Sequence, residues 1–193
     1  TLPQENENLL NICGRCHAHR TQIHPDFEYG ASLLQTHQPS VLEEPLYFSD
    51  GQIREEVYVY GSFTQSKMFK NGVVCKDCHE PHSGKIYVQG NALCYRCHAP
   101  QEYGVRAHHF HDPAQDGALC VECHMPERTY MQVDPRRDHR LHSPRPALSA
   151  KLGTPDACVK CHDDKDVQWA ARWTKDWYGD MAAEHYGEVF YQA

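Results

Sequence analysis

Cys75-Lys76-Asp77-Cys78-His79, followed by Cys94-Tyr95-Arg96-Cys97-His98 with fifteen residues between Cys78 and Cys94, decides how this chain is read. The same five-residue pattern recurs as Cys13-Gly14-Arg15-Cys16-His17, Cys120-Val121-Glu122-Cys123-His124 and Cys158-Val159-Lys160-Cys161-His162. Together the five copies use all ten cysteines, and a histidine follows each second cysteine. C-x-x-C-H is the attachment signature of c-type haem. Two thiols three positions apart lie on one side of a helical turn, where each can form a thioether with a haem vinyl group. The adjacent histidine then meets the iron from the proximal side.

Three plainer readings compete. A disulfide framework explains an even cysteine count but gives no reason for the histidines. The fifteen-residue separation also fits a zinc ribbon, yet zinc again leaves the following histidines unexplained. A thioredoxin-like pair needs a single C-x-x-C in a βαβ setting.

Composition agrees with the haem reading. The chain has 193 residues, is 40% hydrophobic and has a mean hydropathy of −0.73. No apolar run approaches the ~18 residues of a membrane span. Nineteen Lys and Arg against 26 Asp and Glu give a net charge of −7, which argues against a general grip on nucleic acid. Ordinary core residues are scarce, and five haems would leave about 39 residues for each. Porphyrin therefore has to supply much of the interior, with the haems close together and some edges exposed.

The first cysteines of successive motifs lie 62, 19, 26 and 38 residues apart, so the motif repeats without a fixed period. We expect one pentahaem domain over 1–193. Within it, 1–74 holds the first haem and a hairpin, 75–162 holds four haems, and 163–193 forms a helical tail. A short helix over 5–16 carries Leu9, Leu10 and Ile12 into the first site. Leu46-Tyr47-Phe48 and Val57-Tyr58-Val59-Tyr60, flanking Ser49-Asp50-Gly51, read as the hairpin. Residues 85–89 read as a short strand, and Asp134-Pro135 and Pro144-Arg145-Pro146 as loops. In the tail, Trp169, Trp173 and Trp177 share one helical face, suited to packing against a haem or the domain body, or to docking another chain.

Histidines supply the ligand candidates. His17, His79, His98, His124 and His162 are the proximal ligands, and ten others remain. His82 is the first distal candidate, too close to His79 to fold over the same haem but able to reach a neighbouring one. His109 and His111, then His37 and His139, follow, with His24 and His108 in reserve. His19, His142 and His185 are read as surface residues. The surplus also permits a ligand from a neighbouring subunit. Met125 and Met131 are ligands by chemistry only. Arg136, Arg137, Arg140 and Arg145 suit haem propionates or a solvated basic run.

With these residues in view, the sequence resembles multihaem cytochromes c with a doubled C-x-x-C-H arrangement, the group containing cytochrome c554-like proteins. More closely it is similar to the haem region of bacterial cytochromes that carry tetratricopeptide repeats. The resemblance rests on residues 50–53 and 57–63, Cys120 to Pro126, Tyr130 to His139 and Leu152 to Cys158, and covers most of 10–178. It implies a multihaem cytochrome c fold with little regular secondary structure: short α-helices plus a small β-hairpin packed around five covalently bound haems. It also implies that His82, the 108–111 cluster and His139 are haem-associated. Members of the group often carry further haem motifs before this region and repeats after it.

The expected function is electron transfer through five closely spaced haems, with an extracellular cytochrome filament as its specific form. Its partners are redox proteins or extracellular acceptors, with a homo-oligomer or polymer in the filament form. The alternative, a reductase of a small nitrogen or sulfur oxyanion, needs an open iron, whereas all five motifs end in histidine. Haem attachment of this type implies export, to the cell exterior or surface, or to the periplasm, with a leader removed.

Overall fold

The computed structural model describes residues 4–181 and 184–190. Helix α1, Gln4–His17, places Glu5 and Glu7 in its first turn and Arg15 and His17 in its last. That order complements the helix dipole, and the helix buries Leu10 while delivering the first motif at its end. The chain then forms a two-stranded antiparallel sheet from β1, Arg20–Gln22, and β2, His37–Pro39, with Gln22 opposite His37. Between them, Ser32 caps the 3-10 turn Leu33–Gln35. Gly14 lies where a Cβ would fall 2.8 Å from Leu33 and 2.9 Å from Tyr60, so only glycine lets α1 pack this tightly.

The apolar core is thin. Tyr47, Ile53, Val57 and Tyr130 form one buried cluster, with Leu46 against it. Among the described residues, eleven apolar and twelve polar or charged residues are buried, too few apolar groups to hold so long a chain by themselves. Much of what closes the fold is polar. Asp50 accepts the Gln52 backbone N–H and side-chain amide, Gln52 also donates to the Pro155 carbonyl, and Thr154 donates to Asp50.

The hairpin expected over 46–60 does not form. Asp50 closes the turn early, and Tyr47 meets Ile53 in a single bridge. Tyr58 then adopts a left-handed φ of 60°, and Tyr60 opens α2, Tyr60–Gln65. Residues 85–89 likewise make one bridge, Ile86 to His79, rather than a strand. The second sheet lies where loops were expected. It joins β3, Glu127–Tyr130, to β4, Asp134–Arg137, around Met131 and Gln132, both at positive φ as a type I′ turn requires.

Short helices fill the rest: α3 Lys67–Lys70, α4 Asn91–Cys94, α5 Pro100–Tyr103, α6 Arg106–His109, α7 Cys120–His124 and α8 Pro146–Leu152. Helix α9, Val167–Tyr178, is N-capped by Asp166 and packs on α8. Helix α10 covers Tyr186–Phe190, and residues 182–183 and 191–193 of the expected tail lie outside the described part. Among the described residues no helix is long and apolar enough to cross a membrane.

Candidate functional site

Each motif is a turn of helix, as two thiols on one side require. The first closes α1 and the fourth is α7. In the second, third and fifth, the histidine N–H donates to the carbonyl of the first cysteine: His79 to Cys75 at 2.9 Å, His98 to Cys94 at 2.9 Å and His162 to Cys158 at 3.0 Å. All ten cysteines are free thiols, and among the described residues no three His, Cys, Asp or Glu side chains converge on a bare-ion site.

Successive motifs lie side by side. The Cys13 and Cys75 thiols share a hydrogen bond, which holds Cys13 down at about 7 and, with burial, pushes Cys75 up. Cys94 and Cys120 repeat the arrangement, with Cys120 at about 7 and Cys94 raised. Cys78 lies within electrostatic reach of Cys94 and Cys97, and Cys123 of Cys158 and Cys161. Once alkylated these sulfurs no longer titrate, so the lasting information is adjacency: first motif to second, second to third, third to fourth, fourth to fifth.

Residues between the paired cysteines stitch these neighbours together. Lys76 of the second motif bonds Glu5 of α1 at 3.1 Å, and Arg96 of the third donates to the Asp77 carbonyl at 2.7 Å. Lys160 of the fifth lies 3.8 Å from Glu122 of the fourth. Asn91 fastens third to fourth, donating to the Ala118 carbonyl and accepting from the Cys120 N–H, both at 2.9 Å. Sequence reading assigned these positions no role, although their charges were visible.

Three proximal histidines face a second imidazole. Ring centroids are 6.4 Å apart for His79 and His139, 6.2 Å for His124 and His108, and 6.1 Å for His162 and His111. Their planes are inclined at 23°, 9° and 35°. Direct face-to-face stacking is closer, 4.1 Å for Phe110 on Trp177. Metal–imidazole bonds run about 2 Å, and two in line, with roughly 1 Å from nitrogen to ring centre at each end, span about 6 Å. These pairs therefore fit a metal held between them. His139 and His124 donate from Nδ1 to the carbonyls of Arg137 and His142, each at 2.9 Å, and His111 donates to the His109 carbonyl. Such bonds fix the tautomer that leaves Nε2 bare.

The 108–111 cluster serves two pairs because α6 ends abruptly. Phe110 takes a left-handed φ of 58°, at a cost of about 1 kcal/mol or more, and turns His111 away from His108. Helix α9 covers the result: Phe110 stacks on Trp177, Tyr178 donates to the His108 carbonyl, and Trp169 lies 4.9 Å from His162. Trp173 remains 43% exposed.

Residues 67–103 match the doubled CXXCH motif family. The outer cell wall cytochrome OcwA shares the fold with a TM-score of 0.61 at 14% identity, over 87% of this chain and 51% of its own. The fold is that of a multihaem c-type cytochrome. The present chain spans about half the length of OcwA, and no curated protein matches its sequence.

Other side chains fit a cytochrome as well. Arg15 Nε and Arg20 Nε are buried with no hydrogen-bond partner among the described residues, donors suited to an anion such as a propionate, and sequence reading missed both. Three of the four arginines it favoured are engaged within the protein: Arg136 with Asp134 and Glu56, Arg137 with Glu122, Arg140 with Asp138. Among the remaining distal candidates, His37 is 5% exposed and hydrogen-bonds Thr36. His24 and His109 accept a backbone N–H at Nδ1, and His82 is 96% exposed. Burial keeps His139, His108 and His109 below the usual histidine pKa, and that of His142 at about 3, so these rings are neutral at pH 7.

Proposed function

We propose that this chain is an exported electron-transfer protein that carries five covalently attached haems ranged in sequence order. The observation that carries the reading is the adjacency of successive motifs, hydrogen-bonded sulfur to sulfur from first to second and from third to fourth and within electrostatic reach at the other two junctions, which would bring each attachment site against the next. Bound haem supplies reversible one-electron iron chemistry. The ten motif cysteines hold it covalently, and His17, His79, His98, His124 and His162 approach from the proximal side. His139, His108 and His111 would complete bis-histidine sets with His79, His124 and His162, keeping those irons six-coordinate. Stitching residues such as Arg96 and Asn91 fix the spacing on which transfer depends.

The 1–193 stretch works as one unit in this reading, passing electrons to redox proteins or to acceptors outside the cell. The name of OcwA, an outer cell wall cytochrome, supports an extracellular setting over a periplasmic one. We include a head-to-tail polymer in the proposal. Its support is the exposure of Tyr29, and of Met131 and Val133 at the tip of the β3–β4 hairpin, apolar groups that a contact would cover.

Native mass spectrometry and redox titration test the core of the proposal. The expected mass exceeds the polypeptide by five haems, with full reduction taking about five electrons per chain. A smaller haem complement overturns it. Electron microscopy of the purified protein is expected to show filaments, and dispersed monomers at high concentration would remove the polymer.

A further inference from the structure

Among the described residues His17 and His98 face no second imidazole, and hydrogen bonding sorts the histidines left to serve them. A ring that accepts an N–H at Nδ1 carries its proton on Nε2, the nitrogen a metal ligand needs bare. His24, His109 and His185 do this, accepting from Asp26, His111 and Gly187, each at 3.2 Å. His142 spends Nε2 on Arg140 at 3.1 Å. His19 and His37 meet hydroxyls, which set no tautomer.

His82 is different. Its Nδ1 lies 3.0 Å from Glu80 Oε1, and an ionised carboxylate only accepts, so Nδ1 carries the proton and Nε2 is bare. The loop that carries it is closed on itself. Glu80 N–H donates to the Lys85 carbonyl at 2.8 Å, and Gly84 N–H to the Glu80 carbonyl at 2.9 Å. The Glu80 carboxylate also accepts the N–H groups of His82 and Ser83. A solvent-facing imidazole is thus held in one orientation and one tautomer. Among the described residues, every other Nδ1–H fixed by an acceptor-only group, at His139, His111 and His124, is held by a neutral carbonyl.

Placement selects the site. His37 belongs with the first motif, because β2 pairs with the strand that follows α1, and Arg15 and Arg20 both act on its ring. The His82 loop belongs with the second and third motifs. Tyr87 N–H donates to the Cys78 carbonyl at 3.1 Å, and the Arg96 guanidinium lies 5.3 Å over the Tyr87 ring while its Nη1 holds Asp77.

We propose that His82 is the second iron ligand at the Cys94–Cys97–His98 site and that Glu80 is its positioning residue, whose negative charge makes this the lowest-potential haem of the chain. The inference rests on the five-haem reading. A carboxylate on Nδ1–H raises the basicity of the ring and favours the ferric state, whereas a carbonyl does so less.

The test is a spectroscopically monitored redox titration of the holoprotein. In Glu80→Gln one midpoint is expected to rise, increasing the reduced-to-oxidised ratio of that haem about tenfold at fixed potential, or 59 mV for one electron. The other midpoints stay in place and all haems stay low-spin. Glu80→Asp, which keeps the charge, is expected to return that midpoint toward the parent value. His82→Ala is expected to make the same haem, and no other, high-spin. Unchanged midpoints in Glu80→Gln, an equal rise in all of them, or a wholly low-spin His82→Ala each overturn the inference. A parent protein with fewer than five haems by mass overturns the functional reading instead.

Discussion

Gly117→Ala is expected to dislodge the His111 imidazole and turn one haem high-spin. An ideal Cβ at Gly117 would stand 2.4 Å from His111 Cδ2 and 2.9 Å from its Nε2, inside the closest approach that carbon and nitrogen tolerate. The ring cannot retreat without losing its place opposite His162, 6.1 Å away, or its bond to the His109 carbonyl. On the five-haem proposal, a high-spin ferric EPR signal should appear as low-spin intensity falls by about one fifth. Native mass should rise only by the added methyl substitution, because thioether formation needs the cysteines and not the distal ring. A fully low-spin variant would remove His111 from the ligand set.

Arg140→Met is expected to cost about 3–5 kcal/mol of stability. Arg140 and Asp138 are almost wholly enclosed, with side chains 7% and 8% exposed, and meet at 2.8 Å. The same guanidinium donates to the Asp50 carbonyl and to His142 Nε2. Methionine fills similar volume but leaves the Asp138 carboxylate buried without its counter-charge. Adding Asp138→Asn should recover part of the loss, since removing both partners is cheaper than stranding one. The readout is the thermal midpoint of the holoprotein, and midpoints equal for parent and both variants would show that the pair contributes nothing. The His142 carbonyl holds His124 and the Arg137 carbonyl holds His139, so the spectra of those two sites should change together.

Attachment chemistry was legible in the sequence because it is local: two sulfurs and an imidazole within five residues need nothing from the rest of the chain. Helix α1 was legible for the same reason. The hairpin was not. Val57 to Tyr60 alternates like a strand, but a side chain outside that window, Asp50, decides where the turn closes, and Tyr58 takes a backbone conformation no propensity scale favours. Conversely, Pro135 hid β4, although it sits opposite Thr129 in a two-stranded sheet where each strand has a free edge. The facing imidazoles depend on contacts across long separations, such as His79 with His139. Spacing identified the 108–111 cluster but ranked His109 above His108, and only the left-handed Phe110 shows why the outer two face proximal rings. Arg15 and Arg20 were passed over because a buried donor without a partner is a property of packing, not of sequence.

The abutting sulfurs of Cys13 and Cys75, and of Cys94 and Cys120, also constrain biogenesis. Under the five-haem proposal, two tetrapyrroles would have to be joined to each such couple at neighbouring, half-buried sulfurs. Attachment to a chain still open would avoid that crowding, and the final architecture would then assemble around groups already bonded to it.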